Sequence, residues 1–91
     1  MQGDCANVMY QLIVERRAAK EIRLLPNEVL SKVIKAIDSL KQNPRPHGVK
    51  KLFTEDGWRV RSGDYRVLYT IDDKQKIVTV YRIKHRKDVY R

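Results

Sequence analysis

Two stretches near the C-terminus hold the side chains that could do chemistry. They are Arg59-Val60-Arg61-Ser62-Gly63-Asp64-Tyr65-Arg66 and His85-Arg86-Lys87-Asp88-Val89-Tyr90-Arg91. Each sets guanidinium groups near a tyrosine, and the second adds an imidazole. A guanidinium is a planar fork of N–H donors that matches two oxygens of one phosphate. An imidazole can carry a proton near neutral pH, and a phenol can stack on a base. Strand alternation sends Arg59 and Arg61 to one face while Trp58 and Val60 go to the other. One face then gathers cations and the opposite face can bury apolar surface. This arrangement suits a phosphate-rich ligand, with RNA the first candidate.

The rest of the chain is consistent with a polyanionic partner. Lys plus Arg number 20 against 11 Asp plus Glu, a net charge of +9. Such an excess draws polyanions and speeds association with them. It lies mainly in strand-like segments, which argues against a basic helix lying on a membrane surface. Ninety-one residues, 42% of them hydrophobic, make one small domain with a core of its own. Cys5 is the single cysteine. It allows no intrachain disulfide and no zinc site built from cysteines, as expected in a reducing compartment. No apolar run approaches the ~20 residues of a membrane span. No basic stretch followed by an apolar core marks a signal peptide, so a cytoplasmic location is expected.

The elements that must position these side chains read as follows. Residues 1–8 show no period and are expected to be a weakly ordered extension, ahead of a single domain over 9–91. Val8 to Val14 alternates as a strand. Ala18, Ala19, Ile22 and Leu25 recur at helical spacing within Arg16–Leu25. Pro26 interrupts that helix. A second begins near Asn27 as N-cap, carries Val29, Leu30, Val33, Ile34, Ile37 and Leu40 as its apolar stripe, and stops near Lys41 before Asn43-Pro44-Arg45-Pro46. Val49–Phe53 is a short strand and Glu55-Asp56-Gly57 a turn. Trp58–Arg61 is a strand, followed by a tight turn at Ser62-Gly63-Asp64. Tyr65–Ile71 shows Tyr65, Val67, Tyr69 and Ile71 on one face. A turn at Asp72–Gln75 leads to Lys76–Lys84, whose near-continuous apolar character predicts a central antiparallel strand. The fold class is α+β: an N-terminal strand, a helical hairpin, then an antiparallel sheet of three to four strands with the helices on one face. Trp58, Tyr65, Tyr69 and Tyr81, at alternate strand positions, are expected in the core. His47, between Pro46 and Gly48, reads as a loop residue.

The helical hairpin with its proline break, Lys51-Leu52, Trp58-Arg59-Val60-Arg61, Gly63-Asp64-Tyr65-Arg66-Val67-Leu68-Tyr69 and His85-Arg86-Lys87-Asp88-Val89-Tyr90 together resemble the RelE/ParE toxin superfamily, and within it the RelE branch. The resemblance covers about residues 9–91. It implies the toxin of a type II toxin–antitoxin pair, a small RelE-like ribonuclease that cuts mRNA in the ribosomal A site. It also implies an acidic, RelB-like antitoxin as partner, and operator DNA bound through the toxin–antitoxin complex. The implied reaction is attack of a ribose 2′-oxygen on the adjacent phosphate, with neither metal nor cofactor.

The resemblance assigns roles residue by residue. Arg66 matches a position that stabilises the extra phosphorane charge, and Arg86 matches a second catalytic arginine. Tyr90 matches a C-terminal tyrosine that stacks on a base or takes part in proton transfer. Arg59 and Arg61 stand where well-studied members carry lysines. Arginine is never deprotonated in a protein, so these two can hold phosphate but cannot be general bases. His85 is an acid–base candidate in place of the missing lysines, or else a residue that orients the tail. Lys50, Lys51, Lys84 and Lys87 are candidate RNA-backbone contacts, which position a ligand without reading its sequence. Two other functions fit the same features: a ParE-like toxin that acts on DNA gyrase, and a non-catalytic basic module that binds RNA or ribosomes.

Overall fold

In the computed structural model, residues 9–46, 49–52, 57–85 and 87 are described. The N-terminal extension, His47, Arg86 and Tyr90 lie outside them. So do Phe53 and most of the turn expected before Gly57.

Among the described residues seven elements follow one another: β1 (Gln11–Val14), α1 (Arg16–Arg23), α2 (Asn27–Ser39), β2 (Lys50–Lys51), β3 (Trp58–Ser62), β4 (Tyr65–Asp72) and β5 (Ile77–His85). The strands form one sheet in the order β1-β5-β4-β3-β2. The expected antiparallel meander is present in β2 to β5. The N-terminal strand adds to one edge of this meander, where β1 joins parallel to β5 with Gln11 opposite Ile77 and Val14 opposite Val80. A parallel pair needs a long crossover between its strands, and the helical hairpin with the whole meander supplies it. β5 is interior, between β1 and β4.

Local chemistry sets the element ends. Pro26, not Asn27, is the N-cap of α2, and no side chain caps that end. Proline fixes φ near the observed −58°. Its carbonyl accepts the first helical hydrogen bond from Leu30 N–H at 2.8 Å. Asn27 is thereby drawn into the helix. Gly63 holds φ +61° in a two-residue hairpin, with Ser62 opposite Tyr65. A positive φ at the first loop position is the II′ geometry that glycine adopts without strain. The next turn is closed by Asp72, whose Oδ1 accepts from the backbone N–H groups of Lys74 and Gln75 at 3.1 and 3.0 Å. Lys76 leaves that turn at φ 59°, which is why β5 starts one residue later than alternation suggests.

The core lies between the helices and one sheet face. Ala18 of α1 and Val33, Ile37 and Leu40 at the α2 side meet Val67, Tyr69, Val78, Val80 and Ile83. Trp58, Val60, Tyr65 and Ile71 pack around this cluster. Ile34, expected in the apolar stripe, is 49% exposed. Val33 and Ile37 take the sheet-facing line, and the adjoining residue turns about 100° away along a helix with 3.6 residues per turn.

A polar clamp holds the far end of the sheet. Arg45 grips Asp73 with both guanidinium nitrogens, at 3.3 and 2.9 Å, and Tyr10 donates its hydroxyl proton to the same carboxylate at 2.7 Å. Arg45 also lies 5.0 Å from the centre of the Trp58 ring. The clamp links the entry to β1, the α2–β2 loop and the β4–β5 turn. Its two donors hold the Asp73 carboxyl down at about 2. A depressed carboxyl adds stability above its ordinary range and loses it as pH falls through the folded value. Wild type is therefore expected to lose stability between about pH 4 and pH 2, and Asp73→Asn to show a flatter acid limb. Urea midpoints across that range would check this; parallel limbs for the two proteins contradict it.

Candidate nucleic-acid interface

Strand register collects the cations of the C-terminal half into two rows on the face opposite the core. In the first row Arg66 of β4 stands between Arg61 of β3 and Lys84 of β5. In the second, Lys50, Arg59, Leu68 and Arg82 follow one another across β2, β3, β4 and β5. Facing residues on neighbouring strands have Cβ atoms about 4.5–5.5 Å apart, so each row is a continuous band. Val60, Val67 and Ile83, the alternates, point into the core. The expected separation of Arg59 and Arg61 from Trp58 and Val60 is therefore the observed one.

Arg66 is the unusual member. It is 7% exposed, and its Nη1 has no hydrogen-bond partner. The ion pairs among the described residues are Lys41–Asp38, Arg45–Asp73 and Arg82–Glu21, so none neutralises Arg66. Both its row neighbours are cations. Burying a charge without a partner is costly, and an unpaired buried donor alone costs about 1–3 kcal/mol. An anion with oxygens arranged for a guanidinium fork would remove that cost.

The other sequence candidates fall in different places. Arg61 is exposed, and its Nε donates a weak bond to the Gly63 carbonyl at 3.4 Å. Lys50 shares the cationic face, but Lys51 does not. Alternation turns Lys51 to the helix side, where its ammonium lies 5.2 Å from the Trp58 ring centre. His85 is opposite Tyr65, on the helix side of β5 and away from the arginine row. The two rings meet edge to face at 5.1 Å. His85 Nδ1 accepts the backbone N–H of Lys87 at 3.2 Å, so its own proton sits on Nε2. The Lys87 side chain is exposed. Arg86 and Tyr90 lie outside the described residues, so their distance to Arg66 is not part of this geometry.

Sequence reasoning missed a second group. Glu15, Arg17, Leu68, Tyr81, Arg82 and Lys84 line a cavity of about 270 Å³ beside the cationic rows. Tyr81, expected in the core, is a correction. Leu68 opposes Arg82 and Tyr69 opposes Val80, which leaves Tyr81 as the extra residue of a β-bulge. A bulge re-aims side chains and leaves no signature in the alternation of types. A Cβ at Gly57 would lie 2.9 Å from the Tyr81 hydroxyl oxygen, so the phenol reaches across the sheet to Gly57. Arg82 is held structurally. Its Nε lies 3.1 Å from Glu21, whose other oxygen accepts Ile83 N–H at 2.8 Å. Glu21 thus caps the edge of β5 where β1 has ended.

Comparison with known proteins gives this architecture a family. The ParE toxin of type II toxin–antitoxin systems matches residues 12–90. Toxin RelG of Mycobacterium tuberculosis is 36% identical over 77 residues, which is 81% of this chain and 87% of that protein. The archaeal RelE–RelB complex of Pyrococcus horikoshii contains a chain that superposes with a TM-score of 0.77 at 30% identity, covering 86% of this chain and 96% of that one. The intact RelBE toxin–antitoxin complex of E. coli gives 0.72 at 28% identity, covering 84% and 95%. With the family model matching residues 12–90 and relatives 30–36% identical over most of their length, the chain belongs to the ParE toxin family of type II toxin–antitoxin systems, on the RelE-like branch of the RelE/ParE superfamily.

Proposed function

We propose that this toxin is a ribosome-dependent mRNA endonuclease that works in the cytoplasm and is silenced by an acidic, RelB-like antitoxin. The observation that carries the reading is the buried Arg66, whose Nη1 has no hydrogen-bond partner, between two further cations. In the reaction a ribose 2′-oxygen attacks the adjacent phosphorus and the bond from phosphorus to the 5′-oxygen breaks. The products are a 2′,3′-cyclic phosphate and a free 5′-hydroxyl. The pentavalent centre carries extra negative charge on its oxygens, and charge placed in advance against that centre lowers the barrier. Arg66 provides the fork, with Arg61 and Lys84 on either side, while Arg59 and Lys50 follow the backbone of the neighbouring nucleotides. Arg86 and Tyr90, carried over from the resemblance, add a second guanidinium and a phenol for stacking or proton transfer. His85, fixed by Tyr65 and the Lys87 N–H, acts by orienting the segment that begins at Arg86.

The Pyrococcus and E. coli relatives are RelE–RelB complexes, which supports the same kind of partner here. Operator DNA would be bound through that complex. Purified toxin incubated with mRNA and translating ribosomes is expected to give primer-extension stops with 5′-hydroxyl ends, and none when ribosomes are left out. Inhibition of gyrase supercoiling without RNA cleavage would instead place it with gyrase-directed toxins. Ribosome binding with no cut would make it a non-catalytic module.

A further inference from the structure

The cavity beside the arginine row has a makeup that phosphate binding does not explain. Leu68 and Tyr81 give it an apolar wall and an aromatic ring, and Glu15 adds a carboxylate. A carboxylate repels phosphate, so its presence among cations needs another account. Glu15 is the N-cap residue of α1 yet makes no side-chain cap bond. Among the described residues it has no ion pair either. Its oxygens are therefore available to a ligand. Arg17 stands in the first turn of the same helix, where no acidic residue is present. The positive end of the helix dipole disfavours a cation there, so Arg17 weakens the helix that carries it. Arg82 is already neutralised by Glu21, which leaves Arg17 and Lys84 as the cations of the wall without an ion pair among the described residues. Lys84 also belongs to the Arg66 row, and Leu68 is two residues from Arg66 on the same face of β4. The cavity and the phosphate row are thus adjoining parts of one surface.

We propose that this cavity is a base-reading subsite for the nucleotide next to the cleaved phosphate. The proposal rests on the endonuclease reading above. The flat base packs against Leu68 and Tyr81, as unstacked RNA bases do on apolar and aromatic side chains. Arg17 and Lys84 hold the flanking phosphate. Glu15 accepts hydrogen bonds from the base edge, which selects bases by their N–H donors. Guanine offers two adjacent donors, cytosine and adenine each offer one amino group, and uracil offers a lone imino N–H. The expected order is guanine first and uracil last.

The test measures kcat/KM on ribosome-bound mRNAs that differ only in the base on either side of the cut, for wild type, Glu15→Gln, Glu15→Asp and Tyr81→Ala. Wild type is expected to prefer guanine over uracil by about tenfold or more at one of these positions. Glu15→Gln removes most of that preference, because one of its two edge atoms becomes a donor facing a donor. Glu15→Asp restores part of it. Tyr81→Ala raises KM for all four bases and keeps their order. A wild-type preference that survives intact in Glu15→Gln overturns the subsite while leaving the nuclease reading in place. Absence of cleavage with every mRNA overturns both. Glu15 is exposed, so folding of its variants is checked simply by matching thermal melts.

Discussion

Arg66→Met should slow mRNA cleavage by about 10²–10³ and at the same time make the protein more stable. The two effects share one cause. Arg66 is buried on a strand of the central sheet, with cations on both sides and no hydrogen bond at Nη1. Folding therefore takes Nη1 out of water without giving it a bond in return. Methionine follows a similar path with an apolar, flexible chain and avoids that cost. The gain is about 1–3 kcal/mol, judged from the penalty of an unsatisfied buried donor. In a domain of this size each kcal/mol moves the unfolding midpoint by about 4–8 °C. Removal of a donor aimed at developing negative charge costs about 10²–10³ in rate. Arg66→Lys keeps the charge but loses the fork, so it should fail at cleavage without the full gain in stability. Thermal melts and primer extension on the same preparations decide it. A variant that is less stable than wild type would show that Arg66 has a structural partner, and one that cuts at the wild-type rate would remove it from the site. Improved stability with lost activity is the usual relation where a site stores an unfavourable charge for function.

Tyr69→Ala should be the most damaging single change to the fold. Tyr69 is fully buried in β4, in the centre of the core cluster. Its hydroxyl donates to the Pro44 carbonyl at 2.6 Å, which ties the α2–β2 loop to the sheet. Deleting a large buried aromatic costs about 3–5 kcal/mol, a major part of the ~5–15 kcal/mol available to a domain. Tyr69→Phe isolates the hydroxyl. It leaves the Pro44 oxygen without its donor and should cost about 1–3 kcal/mol. Burial pushes the Tyr69 phenol up to about 12. A raised phenol favours the protonated folded state, so this stability is complete below pH 10 and is lost as pH climbs from about 10 to 12. Tyr69→Phe lacks that contribution, and its urea midpoint should fall less steeply over the same range. Equal alkaline slopes for the two proteins would show that the phenol is not desolvated.

Much of the fold was legible because its signals are local. Alternation in Tyr65–Ile71 and Trp58–Arg61 decided which side chains face the core, and the structure has Val67 and Tyr69 buried with Arg59 and Arg61 opposite. Gly63 marked the hairpin, and Pro26 marked the break between the helices. Other features depend on pairing between distant segments. The parallel addition of β1 to β5 cannot be read from β1, since four residues of alternation are the same in either direction. Lys50 and Lys51 look equivalent as neighbours in the chain, yet one joins the arginines and the other covers Trp58. His85 and Arg66 both looked like site residues, but they stand on opposite faces.

By itself the sequence determined the charge, the helical hairpin, the strand faces and the RelE-like resemblance, all properties of residue type and short spacing. The tertiary structure alone decided that Arg66 is buried with Nη1 unsatisfied, that Lys84 is its neighbour, and that Glu15, Arg17 and Tyr81 border one cavity. Those facts follow from register, from the bulge at Tyr81 and from β1 carrying α1 to the edge of β5. Each is set by contacts between segments far apart in the chain, and such contacts leave no periodic trace in either segment.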